Sequence, residues 1–242
     1  KGILAADEST ATMTNRLESV KIVSSAENRL KFRSLLFSSE CMKSYIGGVI
    51  LYDETLKQNF NGNHIPDLIK KNNSIPGIKV DTGAKRLAGS YDEKITEGLD
   101  GLRERLKDYY RLGARFTKWR GVYNITKINP SKLAISSNAH ALARYASLAQ
   151  ENGMVPIVEP EVLMDGDHDA EECLKKTSEV IEKCFDELML NNVNLKGIIL
   201  KPNMILPGKN SSQKINSEDI AELTLECLTN SVPEEVPGIA FL

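Results

Sequence analysis

The sequence predicts an α/β fold built on a parallel sheet, and three observations carry that expectation. Short apolar runs recur at 2–6, 46–52, 76–80, 114–119, 154–158, 196–200 and 238–242. Between them lie helical patterns near 26–38, 98–112, 131–152, 169–191 and 217–231. The runs are almost continuously apolar rather than alternating, as strands covered on both faces are. Successive runs are spaced roughly 30–45 residues apart, room for a crossover helix between parallel strands.

Taken in order, run one is Gly2-Ile3-Leu4-Ala5-Ala6, followed at once by Asp7-Glu8-Ser9-Thr10. Asn-rich stretches at 59–63 and 72–74 read as surface loops. Run three carries Lys79 and leads to Asp81. In the next helix Leu99, Leu102, Leu106, Tyr109 and Tyr110 recur at helical spacing, and Gly113 is the stop. Run four ends in Lys118-Trp119-Arg120. Leu133, Leu142, Tyr145, Ala146 and Ala149 repeat the helical period, ended by Asn152-Gly153. Run five ends in Glu159-Pro160-Glu161 and run six in Lys201. Ser217-Glu218-Asp219 opens the last helix with a cap and an acidic first turn.

Two parallel architectures compete. A doubly wound nucleotide-binding sheet needs a glycine-rich turn after its first strand, and Asp7-Glu8-Ser9-Thr10 is not one. A (β/α)8 TIM barrel carries its chemistry at the carboxyl ends of several strands. Asp7, Lys79 with Asp81, Lys118 with Arg120, Glu159 with Glu161, and Lys201 all end apolar runs. Side chains alternate along a strand, so each of those pairs shares a face. The barrel is therefore the expected fold.

Composition narrows the function. Basic residues number 31 and acidic ones 33, for a net charge of −2, which gives no reason to expect nucleic acid or a membrane surface as partner. The four cysteines form no C-x-x-C pair and lie at no zinc spacing, so free thiols and no metal are expected. No apolar stretch approaches the length of a membrane span. Local basic groups at strand ends instead suit a small anionic ligand.

The strand-end set is chemically coherent. Burial disfavours the ammonium form of a lysine, and the neutral amine attacks carbonyls to form a Schiff base. Lys201 is the expected nucleophile, with Lys118 and Lys79 as neighbouring cations. Glu159 and Glu161 are placed to protonate and remove a carbinolamine hydroxyl, and Asp7 to move a proton on a sugar hydroxyl. Simpler roles suffice elsewhere. His64 is expected at the surface, and His140 packed or capped on its helix. His168, within Asp165-Gly166-Asp167-His168-Asp169, belongs to a helix start or a subunit contact rather than a metal cluster. Trp119 faces the core opposite Lys118, and Tyr109, Tyr110 and Tyr145 pack helices on the sheet.

The segments GILAADES (2–9), GGVILYDETL (47–56), GIKVDTG (77–83), TEGLDGL (96–102), GARFTKWR (113–120), LARYASLAQENGMVPIVEPEVL (142–163), DGDHD (165–169) and LKPNM (200–204) span the chain in order. Together they resemble class I fructose-bisphosphate aldolase. The resemblance implies a barrel, usually a cytoplasmic homotetramer. It implies metal- and cofactor-independent cleavage of fructose 1,6-bisphosphate to dihydroxyacetone phosphate and glyceraldehyde 3-phosphate. By position, Lys201 matches the imine lysine, Glu159 the carboxyl of carbinolamine chemistry, and Glu161 its charge-tuning neighbour. Asp7 matches the aspartate acting on the central hydroxyls, and Lys118 the lysine stabilising charge beside the imine. Lys79, Arg120 and Ser9 match contacts to substrate oxygens or phosphate, and Thr12 keeps a hydroxyl where relatives often have serine.

Three departures qualify the match. Ala11 stands where glycine is common, Thr82 replaces a common lysine, and the sequence ends in Gly238-Ile239-Ala240-Phe241-Leu242. Residues 1–242 are therefore expected to form one barrel domain lacking the N-terminal helix, the eighth strand with its phosphate-binding arginine and the C-terminal tail, within a longer polypeptide. The alternative functions are another Schiff-base sugar-phosphate aldolase, such as a transaldolase, or a barrel kept as a cytoskeletal or adhesin-binding scaffold.

Overall fold

The computed structural model describes residues 1–241; Leu242, the last position of the seventh apolar run, lies outside the described residues. Two compact units are distinguished. The first comprises residues 1–80, 103–118 and 152–154, and the second the remainder.

The first unit opens with β1 (Gly2–Ala6), α1 (Thr10–Ser19), α2 (Ala26–Phe37), α3 (Cys41–Tyr45) and β2 (Ile46–Leu51). It continues through α4 (Asp53–Leu56), β3 (Asn59–Phe60), β4 (Asn63–His64), α5 (Ile65–Lys71) and β5 (Ile75–Lys79). The second unit adds the antiparallel pair β6 (Gly83–Arg86) and β7 (Lys94–Glu97). Helix α6 (Leu102–Arg111) returns to the first unit, and β8 (Phe116–Tyr123) is shared, its first three residues in the first unit and the rest in the second. The second unit then holds α7 (Lys132–Glu151), β9 (Val155–Val162), α8 (Ala170–Leu190), β10 (Ile199–Leu200) and α9 (Ser217–Ser231).

Strand order along the main sheet is β1-β2-β5-β8-β9-β10, the order of the chain, and β1–β2, β2–β5, β5–β8 and β9–β10 pair in parallel. A doubly wound sheet would reverse direction at a switch point. Sequential parallel order with helical crossovers is the order of strands in a barrel. The seventh apolar run joins next to β10, through a parallel bridge between Leu200 and Ile239.

Packing in the first unit turns on small residues. The Phe116 ring lies over Gly77 and Gly48 on the neighbouring strands, and a Cβ on Gly77 would meet ring carbons at 2.3 Å. That overlap forces the buried Phe116 ring or the backbone beside it to shift within a close-packed core. Gly77→Ala is therefore expected to destabilise the chain by about 1–3 kcal/mol, and Phe116→Leu in the same background to restore part of the loss. Urea midpoints of the two variants check this. In the second unit the core is centred on Trp119, fully buried and stacked on Tyr145 with centroids 5.5 Å apart, as the alternation of β8 requires.

Several expectations need correction. Helix α1 has no strong apolar period and three threonines, so propensity hides it. It forms because Ser9 caps it and Met13 and Leu17 are buried four residues apart. The Asn59–Asn63 stretch is not simply a loop but a short antiparallel hairpin, and His64 within it is half-buried. Helix α6 starts at Leu102, after Gly98 and Gly101 at φ +129° and +63°. Tyr110 is exposed and lies under the Arg115 guanidinium, 4.0 Å from the ring centroid, instead of packing helix on sheet. Run six shortens to Ile199–Leu200 because residues 195–197 form a 3-10 turn. Asn216, not Ser217, caps α9.

His140 is neither packed nor a cap. It is exposed on α7, and its Nδ1 lies 3.0 Å from Glu187 Oε2 on α8, while Lys183 reaches the other oxygen at 2.9 Å. The His140 hydrogen bond, then Lys183, holds the Glu187 carboxyl below its ordinary value of 4.5. A depressed carboxyl contributes stability that is complete above the ordinary value and is lost as pH falls through the folded one. Glu187→Gln is expected to flatten the loss of stability between about pH 5 and pH 3, read as the urea midpoint at each pH.

Candidate active site

In the first unit the chemistry gathers at the carboxyl ends of β1, β5 and β8. Asp7 follows β1 directly, and its Oδ2 accepts a hydrogen bond from Lys118 Nζ at 2.8 Å, each side chain only 9% exposed. β2 and β5 separate these strands in the sheet. Three strand spacings amount to roughly 14 Å in a flat sheet, beyond the combined reach of the two side chains. The contact therefore requires the strands of this unit to curl, bringing Asp7 and Lys118 together over the concave face. Lys79 ends β5 in register with Lys118 and is half-buried. Ser9 and Thr12 sit at the start of α1: Ser9 Oγ accepts from the Thr12 N–H at 3.2 Å and lies 3.0 Å from its hydroxyl. Ser9 thus caps a helix, and the N–H groups of such a start also suit an anion.

In the second unit Lys201 and Glu159 are an intimate buried pair, Nζ hydrogen-bonded to Oε1, with the residues 7% and 2% exposed. Their registration follows from the backbone: Ile199 and Leu200 pair with Ile157 and Val158, and the Lys201 N–H donates to the Val158 carbonyl at 2.8 Å. Arg120 Nε lies 2.6 Å from Glu161 Oε2 and 3.9 Å from Glu159 Oε1. Glu159 and Glu161 therefore share a face, as their spacing predicts. Burial opposes the charge on Arg120, but Glu161 and then Glu159 outweigh it and raise Arg120 above its ordinary value. Asp81 is tied to the backbone, accepting from the Gly83 N–H at 3.0 Å and the Arg120 N–H at 3.4 Å.

Residues with no motif of their own also shape these groups. Asn203 Oδ1 accepts from the Val162 N–H at the end of β9 at 2.9 Å, and Nδ2 donates to Thr177 Oγ1 on α8 at 3.0 Å. The chain leaving Lys201 is thereby fastened to the strand that carries Glu159. Its place in LKPN, two residues after the lysine, was the available signal. Asp169, not His168, caps α8, accepting from the Glu172 N–H at 2.7 Å. His168 is buried, with no hydrogen bond at either ring nitrogen among the described residues. Among the described residues no group of three or more His, Cys, Asp or Glu is arranged to hold a metal ion, and no helix is long and apolar enough to cross a membrane.

A buried lysine against a buried carboxyl, with a further carboxyl on the same strand as that carboxyl and the Arg120 cation on β8 beside it, is equipment for imine formation. Comparison with known proteins agrees over the full length. The family model described as glycolytic fructose-bisphosphate aldolase class-I matches residues 1–242. The chain belongs to the class I fructose-bisphosphate aldolases. A Xanthomonas campestris protein described as a probable class 1 fructose-bisphosphate aldolase is 50% identical over 243 residues, covering 100% of this chain and 73% of the relative. Fructose-bisphosphate aldolase 4, cytosolic, of Arabidopsis thaliana is 49% identical, covering 100% and 62%. A solved Plasmodium falciparum fructose-bisphosphate aldolase, in complex with TRAP and a small-molecule inhibitor, superposes with a TM-score of 0.98 at 45% identity, covering 100% of this chain and 70% of that one. The chain thus shares the aldolase fold, as its strand ends predict.

Proposed function

We propose that this chain cleaves fructose 1,6-bisphosphate reversibly to dihydroxyacetone phosphate and glyceraldehyde 3-phosphate through an imine on Lys201. The buried Lys201–Glu159 contact, in a chain of the aldolase family, is the observation that supports this most. Direct contact lets Glu159 take the proton of the ammonium, leaving a neutral amine and a carboxylic acid side by side. Nζ attacks the C2 carbonyl, and Glu159 returns the proton to the carbinolamine hydroxyl, which leaves as water. Asp7 accepts the C4 hydroxyl proton as the C3–C4 bond breaks, releasing the aldehyde. The electron pair passes into the imine, and reprotonation and hydrolysis release the ketone and free Lys201.

The other roles are part of the same proposal. Lys118 stabilises charge beside the imine, Glu161 tunes it, and Lys79, Arg120, Ser9 and Thr12 hold substrate oxygens or phosphate. No cofactor takes part in the proposed cycle. Residues 1–242 are assigned to one barrel domain of a cytoplasmic homotetramer; the cytosolic Arabidopsis relative supports the compartment. A second role in partner binding is favoured by one finding, the TRAP complex of the Plasmodium relative. The decisive test is borohydride reduction in the presence of dihydroxyacetone phosphate. Inactivation with the adduct mapped to the Lys201 peptide, and EDTA-insensitive cleavage of fructose 1,6-bisphosphate, are expected. An adduct elsewhere, or no cleavage, overturns the reading.

A further inference from the structure

Arg33 lies on α2 and is fully buried. Its guanidinium is an unusual occupant for a helix–sheet interface, since desolvating a charge is costly unless its donors are used. Nη1 donates to Thr55 Oγ1 at 2.7 Å and Nη2 to the Glu8 carbonyl at 2.5 Å, with Glu8 Oε2 at 3.6 Å. The group also lies over the Tyr52 ring, 5.9 Å from its centroid. Burial pushes Arg33 below its ordinary value, and the charges of Glu8, Glu54 and Asp7 oppose that shift. Glu54 is itself held by both Arg29 Nε and Nη2, at 2.9 and 2.5 Å.

The place of these contacts matters more than their number. β1 ends at Ala6, so Asp7 and Glu8 stand past the ladder that fixes the strand. Thr55 is on α4, directly after β2. The Arg33 fork therefore joins the segment leaving β1 to the segment leaving β2, one residue beyond Asp7. Without it the backbone at Asp7 would be held on that side mainly by the start of α1. A buried ion can often be exchanged for an apolar side chain of similar volume at little cost in stability. Such an exchange here would keep the packing and lose the fork.

We propose that Arg33 is a positioning residue for Asp7: by clamping the Glu8 carbonyl to Thr55 it keeps the Asp7 carboxylate aimed for proton transfer during carbon–carbon cleavage. The proposal rests on the role assigned to Asp7 above. A small displacement of a reacting group is enough to cost a large factor in rate. Imine formation, assigned to Lys201 and Glu159, does not use Asp7 and should be spared.

The test compares Arg33→Lys, Arg33→Met and Thr55→Val in the full chain. Two rates are read: kcat and KM for fructose 1,6-bisphosphate cleavage, and borohydride inactivation with dihydroxyacetone phosphate. For the Arg33 variants cleavage kcat is expected to fall about 10- to 100-fold. The trapping rate and KM should change by less than about twofold, with Thr55→Val smaller in the same direction. Cleavage and trapping falling in parallel would assign Arg33 a purely structural role and overturn the proposal, as would unchanged cleavage in Arg33→Lys and Thr55→Val. Should Arg33→Met fail to fold, those two conservative variants decide. A wild-type chain that is not trapped at all overturns the aldolase reading first, and the role of Arg33 with it.

Discussion

Lys201→Met should abolish borohydride trapping and lower cleavage of fructose 1,6-bisphosphate by a factor on the order of 10⁴–10⁶, the scale of losing a covalent nucleophile. Methionine fills much the same volume and offers no amine. Lys118 cannot substitute, because its ammonium is committed to Asp7 at 2.8 Å. The variant also removes the Lys201 ammonium from its contact with Glu159, which is only 2% exposed. Removing one partner of a buried ion pair is destabilising by up to about 3–5 kcal/mol. Activity should therefore be compared at a temperature where circular dichroism shows the variant folded. Trapping that survives in a folded Lys201→Met chain would place the nucleophile elsewhere.

Why the strand ends could be read from sequence, and the clamps could not, has a physical basis. A charged residue directly after a buried apolar run is conspicuous, because burial and charge conflict. Lys118, Glu159 and Lys201 were exposed to inference by that conflict, and each is buried. The parallel sheet was legible for the same reason: near-continuous apolar runs have no solvent face. Helix α1 was not legible, since its formation depends on one capping hydroxyl and two buried side chains rather than on propensity. The contacts of Arg33 and Asn203 were hidden for a different reason. Their partners are mostly backbone carbonyls and amides or residues distant in sequence, and no local pattern encodes a contact from Arg33 to Glu8 or from Asn203 to Val162. Arg29 and Arg33 lie where an apolar stripe would ordinarily run, so α2 reads as weakly amphipathic while burying that face.

Asp7→Asn should separate the two halves of the reaction. The amide keeps the shape of the carboxylate and can still accept from Lys118 Nζ, but it cannot take a proton from a sugar hydroxyl. Cleavage kcat is expected to fall by about 10²–10⁴, the usual contribution of a positioned general base. Trapping with dihydroxyacetone phosphate should persist, because that ketone forms its imine without a carbon–carbon bond to break. Glu159→Gln should differ in kind, slowing trapping as well as cleavage, since its proton serves the carbinolamine. The contrast also isolates the Asp7–Lys118 pair. Both side chains are 9% exposed, so removing the negative charge leaves a buried ammonium with a weaker partner. Lys118→Met in the Asp7→Asn background should then cost less stability than in the wild-type chain, as expected of two groups in direct contact. If Asp7→Asn loses trapping and cleavage equally, Asp7 acts before the carbon–carbon step, and the division of labour between the β1 carboxylate and the β9 carboxyl is wrong.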